Sequence, residues 1–149
     1  MTLYLDTSSL VKLYVDEQGS DDVRALVARA SVVATSVVAL AESRAALARL
    51  RRQGDLSPSA HARAKRELRR DWPSLLAVDV TNDLAEVAAE LAERYGLRGF
   101  DSLHLATYQR VIEWSGDDDH EFSSFDDRLS SAAQTLTARH VRRKKVRRR

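Results

Sequence analysis

Four carboxylates, Asp6, Glu42, Asp101 and Asp126, carry the strongest chemical signal in the chain. Asp6 closes the apolar run Leu3-Tyr4-Leu5 and precedes the hydroxyl cluster Thr7-Ser8-Ser9. Glu42 follows the apolar turn Val37-Val38-Ala39-Leu40-Ala41, Asp101 opens the helical stretch Gly99 to Ala106, and Asp126 follows Ser123-Ser124-Phe125. Singly, each has a plain structural reading. Asp6 and Asp126 suit helix caps, Asp101 suits a first turn favoured by the helix dipole, and Glu42 suits a solvated helix position. Jointly they say more, because three of them stand at or soon after the carboxyl end of a strand candidate. Parallel strands share that edge, where open α/β sheets place their ligands. Carboxylates brought together there repel one another unless a cation relieves them. Hard divalent ions such as Mg²⁺ and Mn²⁺, which take oxygen ligands, answer that need. The chain has no cysteine and no paired-histidine motif, so zinc is the weaker candidate.

The elements that must position these acids follow from periodicity. Residues 3–5 read as a buried strand, with helical character from Leu10 through Tyr14. Asp21 to Arg29 is a short helix with Val23, Leu26 and Val27 on one face. Ser31 to Thr35 is a second strand, and Ser36 an N-cap for a long helix to about Gln53, stopped by Gly54. Ser57-Pro58 opens a basic helix to about Arg70, since proline suits the first helical position. Leu75 to Val80 is a third strand. Helices are expected over Asp83–Tyr95 and from Phe100 to about Trp114, then a polar turn at 116–119 and a short strand over Glu121–Phe125. A last helix, Asp126 to Ala138, precedes the tail. Short apolar strands alternating with longer helices predict an α/β fold, a three-layer sandwich around a short parallel sheet.

With 149 residues, the chain is expected to form one domain over 1–138, followed by a basic tail over 139–149. Eight of the 24 Lys and Arg residues lie in that tail, leaving 16 basic against 22 acidic groups before it, a balance of −6. The body is therefore mildly acidic, and the tail reads as solvated and disordered, with a grip on nucleic-acid phosphates as its second reading. No apolar run approaches the roughly 20 residues of a membrane span, and no signal pattern opens the chain. The lack of cysteine is compatible with a reducing cytosol, and a cytoplasmic location is expected.

Taken in order, the segments Leu5–Tyr14, Ala41–Leu47, Leu97–Ala106 and Ser124–Leu129 resemble the PIN-domain family, and within it the VapC-type toxins of toxin–antitoxin pairs. The resemblance spans residues 3 to about 133. It implies a metal-dependent endoribonuclease with Asp6, Glu42, Asp101 and Asp126 as the metal-binding acids. Ser8 stands where the family keeps a small polar residue, and Ser124 where it often keeps threonine. The family commonly ends on a strand, unlike the arginine run here.

On this reading Asp6, Asp101 and a third acid hold Mg²⁺ or Mn²⁺ for attack of water on an RNA phosphodiester, with Glu42 or Asp126 placing the water or a second ion. Arg44, Arg98 and Arg128, near the acids in sequence, are expected to meet RNA phosphates. His104, among Leu103, Leu105 and Ala106, reads as a packed, hydrogen-bonded residue outside the catalytic set. The resemblance also implies a small antitoxin that blocks the acidic pocket, and a homodimer. The apolar faces of the 36–53 and 21–29 helices are the expected partner surface. Two other classes fit the residues less well. A haloacid-dehalogenase-like phosphotransferase would need an aspartate at position 8, where Ser8 stands. A PIN-like binding module without cleavage is disfavoured by the presence of all four acids.

Overall fold

The computed structural model describes residues 1–115 and 119–147. The expected polar turn at 116–119 lies, for residues 116–118, outside them. Four strands form one parallel sheet: β1 (Thr2–Leu5), β2 (Val32–Ser36), β3 (Leu76–Val78) and β4 (His120–Ser123), ordered β3-β2-β1-β4. The chain steps outward from β1 to β2 to β3 and then returns to the other side of β1. The reversal falls between β1 and β4, where Leu5 pairs with Ser123. Their carboxyl ends therefore flank the crevice that such a switch point creates.

Helices cover both faces. One carries α1 (Thr7–Leu10), a 3₁₀ turn at Val11–Leu13, α2 (Ser20–Arg29), α3 (Val38–Gln53) and α4 (Pro58–Asp71). The other carries α5 (Asn82–Tyr95), α6 (Gly99–Ser115) and α7 (Asp127–Arg147). Side chains alternate across β1, so Leu3 and Leu5 join a core with Leu10, Val23, Leu47 and Leu68. Tyr4 joins the opposite core with Leu105, Tyr108, Ile112 and Leu129. Burial on both faces explains why β1 has no polar alternation. Among the described residues no helix is long and apolar enough to cross a membrane.

Several boundaries differ from expectation for local reasons. Helix character begins at Thr7 rather than Leu10, because Asp6 caps α1 by accepting from the Ser9 N–H. Ser36 ends β2 instead of capping α3, and its hydroxyl is buried without a partner. The third strand keeps only Leu76–Val78, and the fourth begins at His120 and ends at Ser123, leaving Phe125 half exposed. The last helix does not stop at Ala138 but continues to Arg147. Nothing between those positions breaks a helix, arginine and lysine are good helix formers, and positive charge suits a helix C-terminus. The basic segment through Arg147 is thus helical, not a disordered tail; residues 148–149 lie outside the described residues. The apolar faces of α2 and α3 are also turned inward, with Val23, Ala39 and Leu47 buried and Leu26, Val27 and Leu50 packed on the same core. They are not a free partner surface.

Gly19 precedes α2 with φ of 88°, and a methyl group there would fall 2.6 Å from the Phe125 ring. Gly19→Ala is expected to cost roughly 1–2 kcal/mol through its left-handed backbone and to push the ring aside. Urea unfolding measures the first effect, and a crystal structure of the variant the second.

Candidate active site

Asp6 sits at the carboxyl end of β1, buried to 5% exposure. Its Oδ1 accepts from the Ser8 hydroxyl at 2.7 Å and the Ser9 N–H at 3.0 Å, and its Oδ2 accepts from the Ser124 hydroxyl at 2.6 Å. The pairing of β1 with β4 brings Ser124 alongside. Ser8 and Ser124 in turn accept from the backbone N–H groups of Phe125 and Asp126. Both serines singled out from the sequence thus lock the first acid to the last. Burial pushes the Asp6 carboxyl above its ordinary pKa, although the Ser124, Ser8 and Ser9 hydrogen bonds act against that shift.

Glu42 projects from the second turn of α3 and is held through Oε1 alone. Thr7 donates its hydroxyl at 2.7 Å, and His104 Nε2 lies at 2.8 Å. The Tyr4 hydroxyl, fully buried, contacts the other ring nitrogen, His104 Nδ1, at 2.9 Å. If Tyr4 donates to Nδ1, the neutral ring carries its proton on Nε2 and points it at Glu42. Among the described residues no hydrogen bond reaches Oε2, so that oxygen is left for the cleft. Burial opposes ionisation of Glu42, yet the His104 and Thr7 hydrogen bonds and the nearby Arg98 charge outweigh it and hold the carboxyl below its ordinary value.

Asp101, in the first turn of α6, accepts from Arg98 Nε at 2.9 Å, while Arg98 Nη2 lies 3.9 Å from Asp126 Oδ2. Asp126 also caps α7, accepting from the Leu129 N–H at 2.8 Å. The capping readings of Asp6 and Asp126 and their convergence are therefore both true.

All four acids line one cleft of about 740 Å³. Among the described residues, however, no group of three or more His, Cys, Asp or Glu side chains is arranged to hold a metal ion. The Arg98 guanidinium stands among the acids as a cation of the chain's own, paired with Asp101 and near Asp126. The cleft also holds Lys12, Arg49, Arg52, His104 and Phe125, with Lys12 Nζ 4.3 Å from the Phe125 ring centre.

Of the three arginines expected at RNA phosphates, only Arg98 faces this cleft. Arg44 lies two residues beyond Glu42, which on a helix is nearly the opposite face; it borders a separate groove with Lys65, Arg69 and Trp72. Arg128 donates to the Gly96 carbonyl at 2.9 Å, away from the acids. His104 is packed and hydrogen-bonded as expected, but its partner is Glu42. The signal for it was present in the sequence, because Asp101 and His104 are three apart and share a helix face.

Comparison with known proteins agrees with this geometry. The PIN domain family profile matches residues 3–134. Ribonuclease VapC45 of Mycobacterium tuberculosis (strain CDC 1551 / Oshkosh) is 34% identical over 137 residues, covering 92% of each chain. Ribonuclease VapC46 of strain ATCC 25618 / H37Rv is 35% identical over 134 residues, covering 90% of this chain and 92% of the relative. The crystal structure of M. tuberculosis VapC20, described as a toxin that cleaves the sarcin–ricin loop, superposes with a TM-score of 0.62 at 26% identity, over 87% of this chain and 94% of that one. A parallel sheet with four acids at its switch point, matched along nearly its whole length, makes this chain a member of the PIN-domain family, in its VapC branch.

Proposed function

We propose that the chain is an endoribonuclease toxin that hydrolyses RNA phosphodiesters with Mg²⁺ or Mn²⁺ held by Asp6, Glu42, Asp101 and Asp126. The observation that carries this reading is the meeting of four carboxylates from separate segments in one cleft, with a guanidinium lying among them. The donors are all oxygen and already attract a cation, which fits a hard divalent ion better than zinc. When bound, such an ion supplies Lewis-acid stabilisation of the phosphoryl oxygens and a more acidic water. The chain's own groups do the rest. Ser8, Ser9 and Ser124 fix the Asp6 carboxylate, and His104 and Thr7 hold Glu42 ionised with Oε2 free to orient or deprotonate water. Arg98 must leave Asp101 for the ion to enter, and is then free to meet a phosphate.

Because Arg98 competes for the same oxygens, Arg98→Gln is expected to tighten Mn²⁺ binding severalfold, in keeping with the modest strength of an exposed ion pair. Calorimetric titration with Mn²⁺ reads this directly, and unchanged or weaker binding would contradict the competition.

A sarcin–ricin loop RNA, the target named for VapC20, is the first substrate to try. Metal-dependent cleavage should be seen with wild type and lost in Asp6→Asn. Sequencing RNA ends after induction of both would locate the cut. The reading further implies action in the cytoplasm, a cognate antitoxin that covers the acids, and a homodimer, the last tested by analytical ultracentrifugation.

A further inference from the structure

The cleft has a second charged wall that the bond-breaking step leaves unused. Along α3, Glu42 is followed by Ala45 and Ala46 and then by Arg49 and Arg52, all bordering the cleft. Spacings of three, four and seven residues put them on one helix face, whereas Arg51 does not border it. Arg24, Arg70 and Arg98 are each paired with aspartates. Arg49 and Arg52 are exposed and form no ion pair among the described residues.

The simpler reading is that these arginines merely balance the acids. Helix geometry argues against it, since a rise of 1.5 Å per residue carries Arg49 about 10 Å and Arg52 about 15 Å along the axis from Glu42. Those axial offsets carry both arginines away from Glu42 and along the line that the phosphates of an extended strand would follow. Ala45 and Ala46 leave the stretch between Glu42 and Arg49 without bulky side chains, and Leu50 borders the cleft beyond it. We propose that the RNA strand flanking the cut bond runs along this face of α3, its backbone phosphates held by Arg49 and Arg52. This rests on the ribonuclease reading above and adds where the substrate lies. The contacts would be to the backbone, so they position the strand without reading its sequence.

The test compares the double variant Arg49→Ala/Arg52→Ala with Arg51→Ala on a long oligoribonucleotide and on a dinucleotide containing the same scissile bond. The double variant should raise KM for the long RNA about tenfold with kcat little changed. It should also flatten the slope of log affinity against log salt by about 1.4, at roughly 0.7 per phosphate contact on a single strand. Lysine at both positions should restore most of the binding. Dinucleotide cleavage should be unaffected, as should both substrates with Arg51→Ala. Equal harm from Arg51→Ala, an equal loss on the dinucleotide, or no change on the long RNA would overturn the proposal. Absence of cleavage by wild type would instead count against the ribonuclease reading. Binding of the long RNA, measured by fluorescence anisotropy with and without the two arginines, would still decide the path along α3.

Discussion

Asp6→Asn is expected to reduce RNA cleavage by at least about a hundredfold, because transition-state stabilisation worth several kcal/mol is lost with a metal-binding carboxylate. Unusually for a buried polar residue, the same change should leave the folded protein at least as stable near neutral pH. Burial raises the Asp6 pKa, so the folded state binds this proton more tightly than the unfolded chain does. The resulting stabilisation is full below the ordinary aspartate pKa and is lost as pH rises through the raised folded value. Asparagine removes that penalty. Its carbonyl can keep the Ser8 and Ser9 donors, and its amide can donate to the Ser124 oxygen once that hydroxyl rotates. Urea unfolding over a pH series should therefore show wild type losing stability relative to the variant as pH rises. A variant that cleaves normally, or one that is destabilised by the same amount at every pH, would contradict this.

The second large effect is expected at His104. The ring is 2% exposed and connects Tyr4 to Glu42. His104→Ala would open a cavity and leave the buried Tyr4 hydroxyl without this partner, at a cost of about 3 kcal/mol. In thermal unfolding that is a drop in Tm of roughly 10 °C. Cleavage should fall further than the folded fraction explains, since Glu42 loses a donor that holds Oε1. His104→Gln, whose amide can stand in for Nε2, should recover more activity than His104→Asn, which substitutes for Nδ1. If the two amides behave alike at matched folded fractions, His104 acts through packing only.

Most of the sheet was legible because β1, β2 and β3 lie in short, largely apolar runs, and Asp6 and Asp126 stand out because each follows a strand directly; β4, His-Glu-Phe-Ser, and Asp101, which lies between two helices, carry weaker signals. Burial on both sides of β1 writes itself into Leu3-Tyr4-Leu5 as an unbroken apolar run. The arginines were harder, since proximity in sequence is misleading on a helix. Arg44 is two residues from Glu42 yet faces elsewhere, whereas Arg49, seven away, shares its face. His104 shares a helix face with Asp101, a spacing visible in the sequence, but its partner Glu42 comes from another helix and only the fold brings the two together. The end of α7 is hard to read because a block of positive charge suggests a solvated tail. In fact those residues favour a helix that nothing interrupts.

Crystals soaked in Mn²⁺ and measured at an anomalous wavelength test the metal-site assignment most directly. Anomalous density is expected within the cleft, bound by oxygens of Asp6 and Asp101 together with Glu42 or Asp126, and with Arg98 withdrawn from Asp101. A cleft that stays without such density at saturating Mn²⁺, in a protein whose RNA cleavage still requires the ion, would contradict it.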